Sequence, residues 1–371
     1  MKNKPTLVYF NPDCFTQVDD TVLCHLTKDF NVVWFYLYES LRSKDMRYSP
    51  KMAQEYADKY GITLEVVDPQ SRLRSPRTIL FYYRLAQKIN RYKPDIVYGC
   101  ITFPFWTYCY HFIKCKNKVL GVHDVTTHSK KSTLSRLWGQ FIKERWLKRF
   151  EHIFTFSPNQ HSLLKEELGK ESTMVGMSYK SFGRSEQAPT ALDNGVHLLF
   201  FGSIIRYKGL DLLIEALEEL RKDGVKNLSL TVAGKGEAWR ECELLIKTPE
   251  MFNLHVRFID NKEIPDLMCS HHFLVLPYRD ATQSGPLVTA LAYGTPVIAP
   301  SYGCFTDTFD EKSAILFKPG ELKQALARIS SMNEKEYTEL RSNVEEVRRH
   351  YSEENIAKNY STAFQQIMSN E

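Results

Sequence analysis

Short, nearly continuous apolar runs alternate with longer runs whose apolar residues recur every three or four positions, the pattern of parallel α/β sheets. In the first half the apolar runs predict strands at Thr6–Phe10, Val32–Leu37, Thr63–Val67, Asp95–Tyr98, Lys118–Val122 and His152–Phe156. Helices are expected at Pro76–Tyr92, Ser132–Arg149 and Pro158–Leu168. The strands show little polar alternation, as strands covered by helices on both faces do. From Gly176 to Gly195 periodicity fades and Gly, Ser and Pro accumulate, which reads as a linker. The pattern then restarts, with strands at His197–Phe201, Leu228–Ala233, His255–Phe258, Phe273–Leu276 and Pro296–Ala299. Helices fit Leu210–Lys222, Glu237–Lys247, Glu263–Cys269 and Pro286–Tyr293. After Pro319 the chain reads as helical, including Glu334–His350 and a last helix near Ser352–Met368.

Two doubly wound, Rossmann-like domains in tandem are therefore expected. The first spans 1–180, with the last helix (about 352–371) packing back on it, and the second spans 196–350. Such domains bind ligands at the carboxyl ends of their strands, here in a cleft between the two.

Composition narrows the classes. The 371 residues are 43% hydrophobic and 25% charged, ordinary for folded globular domains and enough for two cores. The apolar run Leu7–Phe10 is too short for a secretory signal, and no charge-free stretch is long enough to span a bilayer. The eight cysteines form no Cys-x-x-Cys pair, which suggests a reduced, cytoplasmic chain with cysteines in the core and no zinc site. The net charge of +5 is uneven: residues 1–190 carry 29 Lys and Arg against 18 Asp and Glu, residues 191–371 carry 20 against 26. The basic half suggests an anionic surface or substrate. No nucleic-acid-binding motif accompanies it.

The strongest candidate chemistry lies in Phe200–Leu217, FFGSIIRYKGLDLLIEAL. A strand ends at Gly202, a basic loop carries Arg206 and Lys208, and Gly209 opens an amphipathic helix. Amide groups at a helix start plus two cations form a receptor for a diphosphate. Solvated loop charges are the plain alternative. Gln283-Ser284-Gly285 before the next helix offers amides and a hydroxyl to an anionic oxygen, or a simple N-cap by Ser284. In the first half, His123 and Asp124 stand at a strand's carboxyl end, where ligands bind, although a histidine there can also be purely structural. The first βα loop, Asn11–Thr16, contains no glycine pair, and its residues assign it no role. No Asp-x-Asp and no clustered His or carboxylates have metal-ligand spacing, so no metal or other cofactor is expected. The basic aromatic run Lys130–Phe150 predicts an amphipathic helix that packs on the sheet with its stripe and meets anionic lipid with its charges.

These segments resemble the family-four retaining glycosyltransferases of the GT-B fold. The run Phe-Gly-x-x-Arg-x-Tyr-Lys-Gly-Leu-Asp is similar to the family's donor-phosphate loop. Thr231–Gly236 (TVAGKG), Phe258–Met268 (FIDNKEIPDLM) and Leu276–Pro300 resemble further donor segments in the same order. The resemblance covers residues 196–300 and is looser before them. It implies a UDP- or GDP-type sugar donor held by Gly202, Ser203, Gly234, Gly236, Ile259, Glu263, Thr282, Gln283, Ser284, Gly285 and Thr289. His123, Arg206 and Lys208 would then be catalytic, with Asp124 and Thr16 on the acceptor side. A glycan or lipid-linked glycan would be the acceptor, in surface-polysaccharide or glycolipid assembly, without metal and at the inner membrane face. The chain departs from the common pattern of two glutamates seven residues apart, because Ala281 and Thr289 stand there. It resembles the subset with Ala-Thr-Gln-Ser-Gly, in which Thr282 or Gln283 takes over the sugar contact. A nucleotide-sugar 2-epimerase of the same fold and a catalytically silent partner of a transferase are the alternatives.

Overall fold

The computed structural model describes residues 4–38, 48–70, 76–100, 105–123, 144–179, 181–189, 191–280 and 284–369, with the backbone alone for 13–18 and 76. The chain divides into two compact units. Unit 1 joins Met1–Ser178 to Glu353–Glu371, and unit 2 is the continuous stretch Tyr179–Ser352.

Unit 1 contains a parallel sheet of seven strands: β1 (Thr6–Pro12), β2 (Asn31–Leu37), β3 (Thr63–Val67), β4 (Ile96–Gly99), β5 (Asn117–Val122), β6 (His152–Thr155) and β7 (Thr173–Met174). Their order is 3-2-1-4-5-6-7. Helices α1 (Asp13–Leu26), α2 (Pro50–Tyr60), α3 (Pro76–Arg91) and α4 (Pro158–Leu168) connect them. Unit 2 has six parallel strands, β8 (Val196–Phe201), β9 (Leu228–Ala233), β10 (Phe252–His255), β11 (Phe273–Val275), β12 (Val297–Pro300) and β13 (Ile315–Phe317), in the order 10-9-8-11-12-13. That is the doubly wound order, with its switch point between β8 and β11.

Two local expectations change. The Asn11–Thr16 loop does not exist as a loop, because β1 runs to Pro12 and α1 begins at Asp13. Pro12 lacks an N–H for the ladder and closes the strand itself. The strand expected at His255–Phe258 lies three residues earlier, at Phe252–His255. Its partner β9 ends at Ala233, and the Gly234 amide takes the last carbonyl, that of His255 (3.1 Å), so Val256 to Phe258 leave the sheet.

The helices of unit 2 are α5 (Leu210–Lys222), α6 (Trp239–Glu243), α7 (Ile264–Ser270), α8 (Gly285–Tyr293), α9 (Cys304–Thr308), α10 (Leu322–Ser330) and α11 (Glu334–His350). The last helix of the chain, α12 (Glu353–Ser369), returns to unit 1. Its Ile356, Tyr360, Phe364 and Ile367 are buried in the same core as Leu7, Tyr9, Leu23 and Trp34. Phe364 meets Phe30 edge-on at 5.8 Å and Phe154 at 5.1 Å. Ser361 donates to Asp29 (2.5 Å) and Asn359 to the Val175 carbonyl (3.1 Å). Burial of large side chains on this scale outweighs the exposed Lys28–Glu354 pair, since exposed ion pairs contribute at most about 1 kcal/mol.

Inside unit 1, Asp19 of α1 is buried among hydrogen-bond donors. Tyr9 Oη and Asn11 Nδ2 donate to its two oxygens at 2.8 Å each, and Trp34 Nε1 fixes Asn11 through its carbonyl oxygen at 2.7 Å. Burial outweighs those bonds and lifts the carboxyl to about 7, with the neighbouring Asp20 adding to the rise. Between about pH 4 and that value the folded protein keeps a proton that the unfolded chain has released. Stability therefore falls as pH rises through this window, by on the order of a few kcal/mol from this group. Asp19→Asn keeps an oxygen for Asn11 and turns an N–H towards Tyr9 Oη. Chemical denaturation of wild type and Asp19→Asn across the window is expected to give a steeper decline for wild type, and parallel curves would disprove the protonated Asp19.

Candidate active site

The strongest convergence of candidate residues is at the switch point of unit 2. β8 ends at Phe201, and Gly202 follows with φ +116°, hydrogen-bonded through its amide to Ala233 (2.9 Å). The chain then forms a tight turn at Arg206–Lys208 before α5. Gly209 has φ +70°, and a Cβ there would land on the Pro277 carbonyl oxygen, so only glycine lets the turn lie against the loop after β11. Arg279 staples the same contact from the other side. Its amide donates to the Tyr207 carbonyl (2.7 Å), and one guanidinium nitrogen to the Arg206 carbonyl (2.8 Å). The guanidinium also grips Asp211 with two bonds of 2.8 Å.

Lys208 is the unusual residue of this turn. It is 8% exposed, and among the described residues it makes no ion pair. Its ammonium lies 5.4 Å from the centre of the Tyr278 ring, a cation–π contact that holds a charge without neutralising it. It also flanks Gly202, where a Cβ would stand 3.1 Å from Nζ and 3.3 Å from Pro286. Burial alone lowers the Lys208 ammonium to about 8. Arg206, two residues earlier, is exposed.

Tyr278 links this turn to α8. The Tyr278 and Ser284 hydroxyls are 3.2 Å apart, and Ser284 caps the helix by accepting from the Leu287 amide (3.3 Å). In the first turn of α8, Pro286 has no N–H, Leu287 donates to the Ser284 hydroxyl and Val288 to the Ser284 carbonyl (3.3 Å). Among the described residues the Gly285 amide has no acceptor, and none crowds the space above Gly285 Cα. The sequence suggested several free amides and a free hydroxyl here. Among the described residues the helix retains one such amide, because capping uses the hydroxyl. The α5 start differs from expectation as well. Asp211 places a carboxylate in the first turn of this helix, where it suits the dipole, and Arg279 engages it.

The other donor-side candidates divide by what surrounds them. A Cβ on Gly234 would strike the Gly202 carbonyl, and one on Gly236 the Ile204 carbonyl, so both glycines serve the close approach of the two loops. Ser203 is exposed at the same loop. Ile259 is buried in the core beside Ile264 and Leu276. Glu263 is gripped by Arg257 with bonds of 2.6 and 2.7 Å and accepts the Asp260 amide (3.0 Å). Those bonds hold its carboxyl near 2. Thr289 is buried, and its hydroxyl donates to the Gly285 carbonyl one turn back (2.9 Å). Thr282 and Gln283 lie outside the described residues. Sequence reasoning did not single out Tyr278 or Arg279, although both stand inside the segment it quoted.

In unit 1, His123 directly follows β5, and its ring stacks on Phe156 at 4.1 Å beyond the end of β6. Asp124 lies outside the described residues, as does the Thr16 side chain of α1. Most of the basic run Lys130–Phe150 is likewise outside them. Its described end packs inward, with Leu147 and Phe150 in the core and Trp146 against it. Among the described residues no three His, Cys, Asp or Glu side chains are grouped to hold a metal ion, and no helix is long and apolar enough to cross a membrane. The described cysteines are free.

Residues 195–332 match the family model of the group 1 glycosyl transferases. This stretch contains all of the switch-point cluster. The chain is 26% identical over 238 residues to a 2-deoxystreptamine glucosyltransferase of Streptomyces kanamyceticus, an alignment covering 57% of this chain and 61% of that protein. It is 24% identical over 256 residues to an uncharacterized glycosyltransferase of Methanocaldococcus jannaschii, covering 64% of each. The chain thus spans just under two thirds of the curated relatives it matches. Among solved structures, sucrose-phosphate synthase from Thermosynechococcus elongatus superposes with a TM-score of 0.71 over 99% of this chain and 100% of that one, at 14% identity. Anabaena HepE in complex with UDP and glucose gives 0.67 over 99% of both chains, at 15% identity. WaaG, a glycosyltransferase involved in lipopolysaccharide biosynthesis, gives 0.62 over 97% and 99%, at 14%. The two parallel-sheet units have the GT-B fold.

A buried ammonium with no counter-charge binds an anion best while it is charged. From about pH 8 upwards the free protein loses the Lys208 proton, so affinity for inorganic phosphate is expected to fall by up to about tenfold per pH unit. Calorimetry from about pH 8 to about pH 10 tests this, a window in which inorganic phosphate stays the dianion. Lys208→Met is expected to bind weakly with no such slope. A flat wild-type profile would show that no anion meets Lys208.

Proposed function

We propose that the chain is a retaining glycosyltransferase that moves a hexose-type sugar from a nucleotide diphosphate to a glycan or lipid-linked glycan. The observation that carries this reading is Lys208, a buried cation with no anion among the described residues, set at the switch point beside Gly202 and Gly285. The family match over 195–332 supports it, as do relatives named for glucosyl transfer and a structure of the same fold holding UDP and glucose.

In this reading Lys208, Arg206 and the Gly285 amide hold the diphosphate. As the bond from the anomeric carbon to the diphosphate breaks, negative charge grows on the departing oxygens, and fixed cations stabilise that state more than the bound donor. The acceptor hydroxyl attacks from the face that the diphosphate leaves, which preserves the anomeric configuration. A UDP- or GDP-type donor belongs to unit 2, and the acceptor to unit 1, where His123 stands at a strand end. Residues 1–190, with 29 Lys and Arg against 18 Asp and Glu, suit an acceptor carried on an anionic membrane, as in polysaccharide or glycolipid assembly.

Lys208→Ala and Arg206→Ala are each expected to lower turnover by roughly 10²–10³, the usual cost of losing one such stabiliser. The melting temperature without ligand is expected to hold or, for the buried Lys208, to rise. Near-normal transfer from a UDP or GDP sugar in both variants would place the donor elsewhere.

With cations supplying the charge, transfer is also expected to proceed without metal. Turnover measured in EDTA is expected to match that in Mg²⁺; loss in EDTA and recovery with Mg²⁺ would show that a metal takes part.

A further inference from the structure

We infer that the outer face of α3, together with the turn at Phe112, is a docking surface for an anionic lipid bilayer. This deepens the membrane setting of the proposed function and rests on it, although the surface itself is independent of donor chemistry.

The inner face of α3 is ordinary. Thr78, Tyr82, Leu85, Ala86 and Ile89 are buried, most of them in the unit 1 core. The outer face is not. Ile79 is 51% exposed, Leu80 49% and Tyr83 42%, on adjacent positions of the same helical face. Phe112, 44% exposed, meets Tyr83 edge-on at 5.0 Å and extends the patch beyond the helix. Asn90 fixes the turn to α3: its amide nitrogen donates to the Phe112 carbonyl (2.8 Å), and its side-chain oxygen accepts from the Lys114 amide (2.9 Å). The apolar residues are therefore presented by a built surface and not by a loose tip.

The surrounding charge identifies the occupant. Helix α3 contains Arg77, Arg84, Lys88 and Arg91 and no carboxylate. Across residues 69–123 the sequence has ten Lys and Arg and a single carboxylate, Asp95, which is used to accept the Thr6 amide at the start of β1 (2.7 Å). Lys88 is paired with Glu65 of β3, but Arg84 and Arg91 make no ion pair among the described residues. An exposed apolar stripe interleaved with unneutralised arginines suits the interface of an anionic membrane: the aliphatic and aromatic groups enter between headgroups while the guanidiniums stay at the phosphate level.

Co-sedimentation of the full chain with phosphatidylcholine vesicles, and with vesicles that also contain phosphatidylglycerol, tests the inference. Binding is expected with the anionic vesicles only, and to weaken as salt is added. Two double variants probe the two halves of the surface, Leu80→Ser with Tyr83→Ser and Arg84→Glu with Arg91→Glu. Each is expected to weaken anionic-vesicle binding by about tenfold or more, with melting temperature and UDP affinity unchanged. The single variant Arg84→Glu, at an exposed position, gives the same direction should a double variant lower stability. Absence of vesicle binding, which an acidic protein partner would produce, overturns the inference. Equal binding to both vesicle types does so too, as does wild-type binding by the variants. UDP affinity, measured in parallel on wild type, reports separately on the donor reading.

Discussion

The switch point of unit 2 is organised around a lysine that is taken out of water and, among the described residues, given no carboxylate in exchange. Burying an unpaired ammonium lowers its pKa to about 8, which disfavours the charged form by about 3 kcal/mol. A chain that only needed to fill that position could have used an apolar residue. The Tyr278 ring keeps the ammonium in place with its electron-rich face and leaves its full charge for an incoming anion. The hydroxyl of the same tyrosine reaches the cap of α8, so one side chain sets the lysine and the helix start in a common frame.

Around that residue the backbone is packed unusually tightly. Gly202, Gly209, Gly234 and Gly236 each sit where a β-carbon would meet another loop's carbonyl or the lysine itself. These contacts bring the carboxyl ends of β8 and β9 and the loop after β11 within van der Waals reach. Arg279 closes the arrangement, binding the Arg206 carbonyl and the Asp211 carboxylate together. A turn held on both sides in this way costs little to keep ordered when a ligand arrives, which is the form of pre-organisation that favours binding.

Much of this architecture was legible in the residues. Thr63–Val67, Leu228–Ala233, Leu210–Lys222, Pro158–Leu168 and Glu334–His350 coincide with their expected bounds, because long or strongly patterned runs leave few competing registers. Helix α2 was missed although Ser49 and Pro50 mark its start and Gly61 its end, the usual capping chemistry. Strand β10 was displaced because its end is fixed by the length of its neighbour, a tertiary fact that no local pattern carries. For the site, the cations and glycines were visible and their reasons were not. Arg206 and Lys208 looked equivalent in the sequence, yet one is exposed and the other buried. The helix start after Gly209 looked available, but its first turn already carries the Asp211 carboxylate, held by Arg279. Tyr278 and Arg279 went unnoticed because their role exists only when β11 lies beside β8.

Helix α12 closes the first unit with the last residues of the chain. Unit 2, by contrast, is one uninterrupted stretch. During synthesis the ribosome therefore delivers every residue of the second unit before the first can be completed. Until Glu353–Ser369 emerges, the nascent chain carries a sheet whose core lacks Tyr360 and Phe364, with that apolar surface open to solvent and to chaperones. The order of completion is the reverse of the order of translation.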